Sequence, residues 1–334
     1  MNKLLLFLFG VALALAVGCG TDATCLRFAG VALGTTYTVA YSGADTLQEE
    51  VEQLMKRVEK SLSIYDKASI ISKVNRNEDV ALDEYFVECF EVAQQVSRET
   101  NGAFDASASP LFAAWGFGAE RHSAPPSQQQ IDSLRALCGM DKFAVVNNRL
   151  VKADPRAQLN ANAVAKGYTV DVVARFLESR NATAYLVEIG GEIRCRGLKP
   201  DGSAWTVGID MPKEGNFTPG SSMAVTIKVS NCAVATSGNY RRFYVIRNEK
   251  IPHTINPATG RPAHNSLLSA TVVAESCAAA DAYATAFMVM GVDSAKTLLN
   301  RHPELEAFLI FAEQQEIRAY ATPKFKSWLT QNNI

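Results

Sequence analysis

The spacing of apolar residues predicts amphipathic helices in the first half of the chain. Over Thr46–Leu62, one helical face carries the apolar residues Leu47, Val51, Leu54, Met55, Val58 and Leu62. A second helix is predicted over Tyr85–Thr100. A third begins with a capping-box pair, Ser127 and Gln130, and runs to Cys138.

Runs rich in β-branched and aromatic residues predict strands elsewhere. They cover Val31–Tyr41, Ala184–Ile189, Glu192–Arg196, Trp205–Ile209, Ala224–Val229, Phe243–Arg247 and Leu268–Ala274. Hairpins are predicted over Phe143–Val151, with its turn at Asn147–Asn148, and over Phe308–Ala321. Helices are predicted over Ala161–Ser179 and Ala278–Met290. Because many strands adjoin through short turns, we expect an α+β fold: a mixed, largely antiparallel sheet with packed helices.

Composition and net charge exclude some classes of function. The 334 residues are 48% hydrophobic and 20% charged, with a net charge of −1, as in ordinary globular proteins. This balance excludes a general electrostatic attraction to nucleic acid. Four histidines and seven scattered cysteines, with no CxxC pair, argue against a zinc site.

The amino terminus indicates export. Lys3 precedes an apolar run to Val17 that is too short for an ordinary membrane span, so residues 1–18 are predicted to be a signal peptide. Gly18–Cys19 resembles the end of a bacterial lipoprotein signal, which makes Cys19 the candidate lipidation site; a simple cleaved signal is the alternative. We expect one continuous domain over 19–334, held on the extracytoplasmic, or periplasmic, face of a bacterial membrane by its lipid alone.

Six cysteines remain after Cys19: Cys25, Cys89, Cys138, Cys195, Cys232 and Cys277. In an oxidising compartment they could pair as disulfides. Buried free thiols are the preferred interpretation, because a core of this size needs no covalent cross-links.

Asp281 and Thr285 are candidate metal ligands. They lie four residues apart in the small-residue helix, so both oxygens share one face. A carboxylate and a hydroxyl suit a hard cation such as Mg²⁺, which keeps positions open for phosphate oxygens and water. An ordinary polar contact within the helix is the structural alternative.

Two glycine-containing segments suggest either turns or ligand contacts. In HTINPATG (253–260), His253 is a candidate general base or phosphate ligand beside a tight turn. In VEIGGEIRCRG (187–197), Gly190–Gly191 predicts a hairpin turn, although such glycines also let a ligand approach the backbone.

Two further segments have chemical and structural interpretations. The aromatic cluster Trp115-Gly116-Phe117-Gly118 is suited either to a flat ring or to core packing. ATSGNYRR (235–242) places Ser237 and Gly238 beside two arginines, which suits a phosphate, but it equally fits a solvated strand start.

Eight ordered segments together carry a family resemblance. They are LGTTYTV (33–39), SLSIYDKASIISKVN (61–75), NGAFDASASPLFAAWGFG (101–118), LNANAVAKGYTVD (159–171), LVEIGGEI (186–193), ATSGNYRR (235–242), HTINPATGRP (253–262) and AAADAYATA (278–286). They resemble the ApbE family of bacterial FAD:protein FMN transferases, which are often lipoproteins. The resemblance implies a T-fold-like α+β domain with FAD in a cleft and Mg²⁺ at its diphosphate.

The resemblance also implies roles for individual residues. The metal ligands would be the side chains of Asp281 and Thr285 and the backbone carbonyl of Ala163. The residues at FAD would be Leu33, Tyr65, Trp115, Gly116, Phe117, Asn160, Lys166 and Ile255. His253 would lie close to the reacting groups, and either it or Asp281 would accept a proton.

Two positions depart from the family pattern. Asn160 stands where aspartate is usual, which makes a hydrogen bond to the nucleotide neutral rather than anionic. Ala278 stands where some members carry a second acidic residue, which implies fewer metal ligands.

The implied reaction is Mg²⁺-dependent transfer of FMN from FAD to a threonine or serine hydroxyl of an acceptor protein, with release of AMP. The expected acceptor is an electron-transport subunit of a membrane complex. Two alternatives are an Mg²⁺-dependent FAD pyrophosphatase that yields FMN and AMP, and a flavin-storing lipoprotein without catalysis.

Overall fold

The computed structural model describes residues 25–117, 125–213, 220–239, 243–246, 249–252, 254–314 and 316–334. The predicted signal peptide (1–18), Cys19 and His253 lie outside the described residues.

Helices and strands are interleaved along the whole chain. The strands are β1 (Cys25–Ala32), β2 (Thr35–Ser42), β3 (Phe143–Val146), β4 (Arg149–Lys152), β5 (Tyr185–Ile189), β6 (Glu192–Arg196), β7 (Trp205–Asp210), β8 (Met223–Val229), β9 (Cys232–Gly238), β10 (Phe243–Ile246), β11 (Glu249–Pro252), β12 (Ile255–Asn256), β13 (Arg261–Pro262), β14 (Leu267–Ala274), β15 (Glu306–Glu313), β16 (Glu316–Ala321) and β17 (Leu329–Asn332). The helices are α1 (Gln48–Leu62), α2 (Ile70–Asn75), α3 (Glu84–Glu99), α4 (Ser109–Phe112), α5 (Gln128–Arg135), α6 (Ala165–Ser179), α7 (Cys277–Met290), α8 (Val292–Leu299) and α9 (Pro323–Trp328).

An eight-stranded sheet organises the fold, in the order β1-β2-β5-β6-β9-β14-β15-β16. A smaller sheet has the order β17-β8-β7. The paired strands in both sheets are antiparallel. The prediction of a mixed, largely antiparallel α+β fold is therefore confirmed.

Each face of the main sheet covers a separate core. On one face, α1, α6 and α7 pack against the sheet and α3 packs on α1 and α7; the shared core includes Tyr37, Val187 and Phe287. The other face packs against the small sheet and α9, through Val207 and Phe325. Within the described residues, no helix combines the length and apolarity needed to cross a bilayer.

The local signals in the chain placed several elements correctly. The capping box is present: the Ser127 hydroxyl accepts from the Gln130 N–H, and the Gln130 side chain accepts from the Ser127 N–H. The first hairpin turns at Asn147 and Asn148, both with positive φ (47° and 57°), as a tight two-residue turn requires. The closing hairpin, β15–β16, is also confirmed.

Other elements differ from the sequence prediction. The predicted strand Val31–Tyr41 is two strands, because Leu33 and Gly34 form a left-handed turn (φ 50° and 72°) inside a run of strand-favouring residues. Strand β9 lies in the middle of the sheet, although its CAVATSG sequence carries few strong strand formers. Its burial between neighbours on both sides, a tertiary effect, determines its conformation.

Candidate functional site

Two tight turns lie side by side at one end of the main sheet. The β1–β2 turn contains Leu33 and Gly34, and the β5–β6 turn contains Gly190 and Gly191. The Gly190 N–H donates to the Thr36 carbonyl over 3.0 Å, which fixes the turns together. The hairpin interpretation of the glycine pair is confirmed. Leu33 is a non-glycine residue in left-handed conformation, a form of backbone strain that is concentrated at functional sites.

Helices α6 and α7 touch beside these turns, at Gly167. A Cβ atom at this residue would lie 2.3 Å from the Cys277 carbonyl oxygen and 2.9 Å from the Asp281 Cβ. The Gly167 N–H donates to Asp281 Oδ2 over 3.2 Å. Glycine is therefore required for the close approach that brings Asp281 to the start of α6.

A buried carboxylate on α6 fixes the start of α7. Asp171 accepts from the N–H groups of Cys277 and Ala278, each over 2.9 Å. It also accepts from the Arg194 guanidinium of β6 over 2.5 Å. This carboxylate satisfies two N–H groups that a helix start leaves without partners, and it orients α7 against the sheet.

The charges around Asp281 form a compact cluster. Asp281 is 4% exposed. Burial raises the pKa of its carboxyl to about 7; Lys166 opposes this shift and Glu192 adds to it. The Lys166 ammonium is paired with Glu192 Oε1. Burial lowers the pKa of Lys166, but the Glu192 and Asp281 carboxylates outweigh it and hold that pKa above its usual range.

The second proposed side-chain ligand, Thr285, contacts the sheet. Its hydroxyl lies 3.2 Å from the Ser237 hydroxyl of β9. The predicted phosphate segment and the predicted metal helix therefore meet at Ser237. Neither interpretation of the remaining arginines, Arg241 and Arg242, is tested, because both lie outside the described residues.

Tyr65 stands on the segment between α1 and α2, next to the chain that leads into α6. It is 77% exposed, and its hydroxyl accepts from the Asn162 side chain over 3.2 Å. The Asn160 side-chain oxygen accepts from the Asn162 N–H over 2.9 Å, which forms a tight turn before Ala163. A ring this exposed contributes little to the core.

Trp115 and Ile255 belong to a third, smaller core instead. Both side chains are buried together, and the Trp115 indole donates to the Gly260 carbonyl over 2.8 Å. Gly116 has positive φ (83°) and lies inside a wide helical turn over 113–117. The core-packing alternative for the Trp115 ring is therefore supported. The predicted tight turn is present: the Gly260 N–H donates to the Asn256 carbonyl.

Asn75, Glu192 and Gly167 are among the contributors that sequence reasoning gave no role. Asn75 holds the chain before the site, since its side chain donates to the Leu159 carbonyl and accepts from the Leu159 N–H, both over 2.8 Å. Glu192 pairs with Lys166, and its Oε2 is buried without a hydrogen-bond partner among the described residues. Gly167 permits the helix contact. All three lie inside the segments that carry the family resemblance, which was the available signal.

The oxygen donors on α7 are of the kind that a hard cation prefers: the Asp281 carboxylate and the Thr285 hydroxyl, four residues apart in the helix. Ala163 lies on the chain that enters α6. Among the described residues, no three His, Cys, Asp or Glu side chains gather as a metal site. Such a lean oxygen set suits Mg²⁺, which takes its remaining ligands from water and phosphates.

Comparisons with known proteins show the family of this chain. The model of the ApbE family matches residues 33–309. The FAD:protein FMN transferase of Vibrio cholerae serotype O1 is 33% identical over 329 residues, which cover 96% of this chain and 97% of its own. The FAD:protein FMN transferase of Haemophilus influenzae is 32% identical, with 98% of each chain covered.

Solved structures show the same fold. Flavin transferase ApbE from Vibrio cholerae superposes with a TM-score of 0.81 at 33% identity, over 92% of this chain and 100% of that one. The apo form of Pseudomonas stutzeri flavinyl transferase ApbE gives a TM-score of 0.82 at 31% identity, over 93% of this chain and 98% of that one. The matching family model, the relatives that align over nearly the full length and the shared fold show that this chain belongs to the ApbE family.

Proposed function

We propose that this protein is an FAD:protein FMN transferase that uses Mg²⁺. The observation that carries the proposal is the contact of α6 with α7, which sets Asp281 against Gly167 and beside Lys166. Asp281, Gly167 and Lys166 all lie in the segments that carry the family resemblance, and the relatives are named for this activity. The proposed acceptor is a membrane electron-transport subunit.

FAD would lie across the end of the sheet where the two turns meet. We assign the flavin ring to Tyr65 and Leu33, and the diphosphate to the neighbourhood of Lys166. Asn160 would bind the nucleotide through a neutral hydrogen bond. Because the Trp115 and Ile255 side chains are buried, their contacts with FAD would come mainly from backbone groups, as would those of Gly116, whereas the partly buried Phe117 would contribute its ring.

Asp281, Thr285 and the Ala163 carbonyl would hold the cation. When bound, Mg²⁺ neutralises diphosphate charge and polarises the phosphorus of the FMN half. The acceptor hydroxyl attacks that phosphorus, the bond to the AMP phosphate breaks, and FMN remains as a phosphoester. The hydroxyl proton passes to His253 or Asp281, the two candidate bases. The Lys166 ammonium stays charged beside the reacting phosphate and favours the negative transition state.

One assay separates this function from its alternatives. The protein is incubated with FAD and Mg²⁺, with and without host membranes as the source of the acceptor. Released AMP is measured, and labelling of the acceptor is followed as flavin fluorescence on a denaturing gel. A transferase releases AMP together with acceptor labelling. A pyrophosphatase releases AMP at the same rate without acceptor, and a storage protein releases none. Either of the last two results would reject the proposal.

Tyr65→Ala is expected to weaken FAD binding several-fold or more. A stacked aromatic contributes on the order of 1 kcal/mol beyond its buried area, which is about a five-fold change in the dissociation constant. Since Tyr65 is 77% exposed, the variant should unfold at the wild-type temperature. Tyr65→Phe is the matched control and should keep most of the affinity. Flavin fluorescence titration measures both, and an unchanged dissociation constant in Tyr65→Ala would remove Tyr65 from the site.

We also propose that Cys19 is lipidated after removal of residues 1–18, and that the domain faces the extracytoplasmic side of a bacterial membrane. The proposal rests on the apolar run that ends at Gly18–Cys19. Cys19→Ala should release the protein from membranes while its FAD affinity stays unchanged. Membrane fractionation of the host measures this, with Cys25→Ala as the control that should remain bound. Equal retention of Cys19→Ala and wild type would contradict the anchor.

A further inference from the structure

Two cysteines face each other across neighbouring strands of the main sheet. Cys195 of β6 and Cys232 of β9 are directly opposite residues in an antiparallel register. Opposite Cα atoms in such a pair lie about 4.5 or 5.5 Å apart, and both separations fall within the range that a disulfide spans. The backbone therefore already has the spacing that the bond requires.

Both side chains lie on the same face of the sheet and pack in the same core. The Cys232 side chain lowers the pKa of Cys195 against the effect of burial, and the Cys195 side chain together with burial raises the pKa of Cys232. Cys195 is buried, whereas Cys232 is partly exposed, so a reagent reaches Cys232 first. In the structure both are free thiols.

The pair lies away from the proposed flavin site. Cys195 and Cys232 face the core between the main sheet and the small sheet. Glu192 and Arg194, at alternate positions of β6, face the opposite side, where they pair with Lys166 and Asp171 of α6. The cysteines are therefore free of a role in binding FAD or metal.

We propose that a small-molecule disulfide, such as oxidised glutathione, oxidises Cys195 and Cys232 to a cross-strand disulfide. The more accessible Cys232 sulfur loses its proton and attacks one glutathione sulfur; the glutathione that departs takes up a proton and leaves as a thiol. The Cys195 thiolate then attacks the Cys232 sulfur of this mixed disulfide and releases the second. One protein disulfide forms, two glutathione molecules are reduced, and they carry away the two thiol protons.

The bond closes the chain over residues 196–231, which include β7 and β8. These strands cover the second core, and the described cysteines form no other cross-link in this region. A cross-link that closes a loop of this length restricts the unfolded chain, so it stabilises the fold. The site is thus a covalent closure, within the main sheet, of the loop that carries β7 and β8, and it is independent of the proposed transferase activity.

The test uses the full-length protein with Cys25→Ser, because the exposed Cys25 thiol would otherwise link molecules together. Reduced protein is incubated with an excess of oxidised glutathione, quenched by alkylation and assayed for thiols after denaturation. The thiol count should fall by two, peptide mapping should join Cys195 to Cys232, and the unfolding temperature should rise by about 5 °C.

Matched variants identify the pair. Cys138→Ser changes a buried thiol in the third core and should keep the two-thiol loss and the temperature rise. Cys195→Ser and Cys232→Ser should show neither the loss of two thiols nor the rise in unfolding temperature. If a variant fails to fold, peptide mapping of the parent protein decides alone. A full thiol count after oxidation, or a disulfide that maps to other cysteines, would overturn the proposal. FMN transfer, measured in parallel, tests the other proposal separately.

Discussion

Asp281→Asn is expected to reduce FMN transfer about a hundred-fold or more. The substitution keeps the shape of the side chain and an oxygen that can accept from the Gly167 N–H, but it removes the charge that would hold the cation. Stabilisation of phosphoryl charge by a metal is worth several kcal/mol, and each 1.4 kcal/mol corresponds to about ten-fold in rate. FAD should still bind through its ring, so the loss should fall on the rate rather than on flavin affinity.

Thr285→Val is the matched control for the same site. A neutral hydroxyl is more easily replaced by water than a carboxylate, so this variant should lose less activity than Asp281→Asn. Binding of Mn²⁺ to the FAD-loaded protein, followed by electron paramagnetic resonance, should weaken in the same order, and EDTA should abolish wild-type transfer. Transfer at the wild-type rate by Asp281→Asn with Mg²⁺ present would show that α7 provides packing alone.

Gly167→Ala is expected to destabilise the protein by about 2 kcal/mol or more. Inside a helix, replacing glycine by alanine ordinarily stabilises by roughly 0.5–1 kcal/mol, so the expected sign is reversed. The reason is the 2.3 Å approach of the new Cβ to the Cys277 carbonyl oxygen, which is backbone and cannot rotate away. Overpacking of this kind typically costs about 1–3 kcal/mol. Because Asp281 would move with α7, transfer should fall too.

Ser179→Ala is the control on the same helix. Ser179 is exposed at the end of α6, and its replacement should change the free energy of unfolding by less than about 0.5 kcal/mol. Urea denaturation measures both variants. A Gly167→Ala protein as stable as wild type would mean that α6 and α7 can separate without cost, and it would remove the proposed reason for a glycine at this contact.

Local sequence signals predicted the elements whose conformation depends on neighbouring residues. The capping box at Ser127 and the turn at Asn147–Asn148 are satisfied within a few residues of chain, so each carries its own signal. The periodic apolar residues of α1 likewise predicted its buried face. The same local rules missed the Leu33–Gly34 turn, because the residues on both sides of it favour strands and the whole segment was therefore predicted as one strand.

The eight ordered motifs in the sequence predicted the family, and with it the candidate residues. Comparison with relatives and solved structures then confirmed the family and the fold.

Only the tertiary structure decided which candidates meet. Asp281 and Gly167 are distant in sequence, and their contact depends on the absence of a side chain at Gly167 and on the anchoring of α7 by Asp171. The pairing of Lys166 with Glu192 and the register of Cys195 with Cys232 likewise arise from packing between elements. Apolar periodicity and turn residues determine elements one at a time, whereas burial and strand register, which act between distant segments, determine the site.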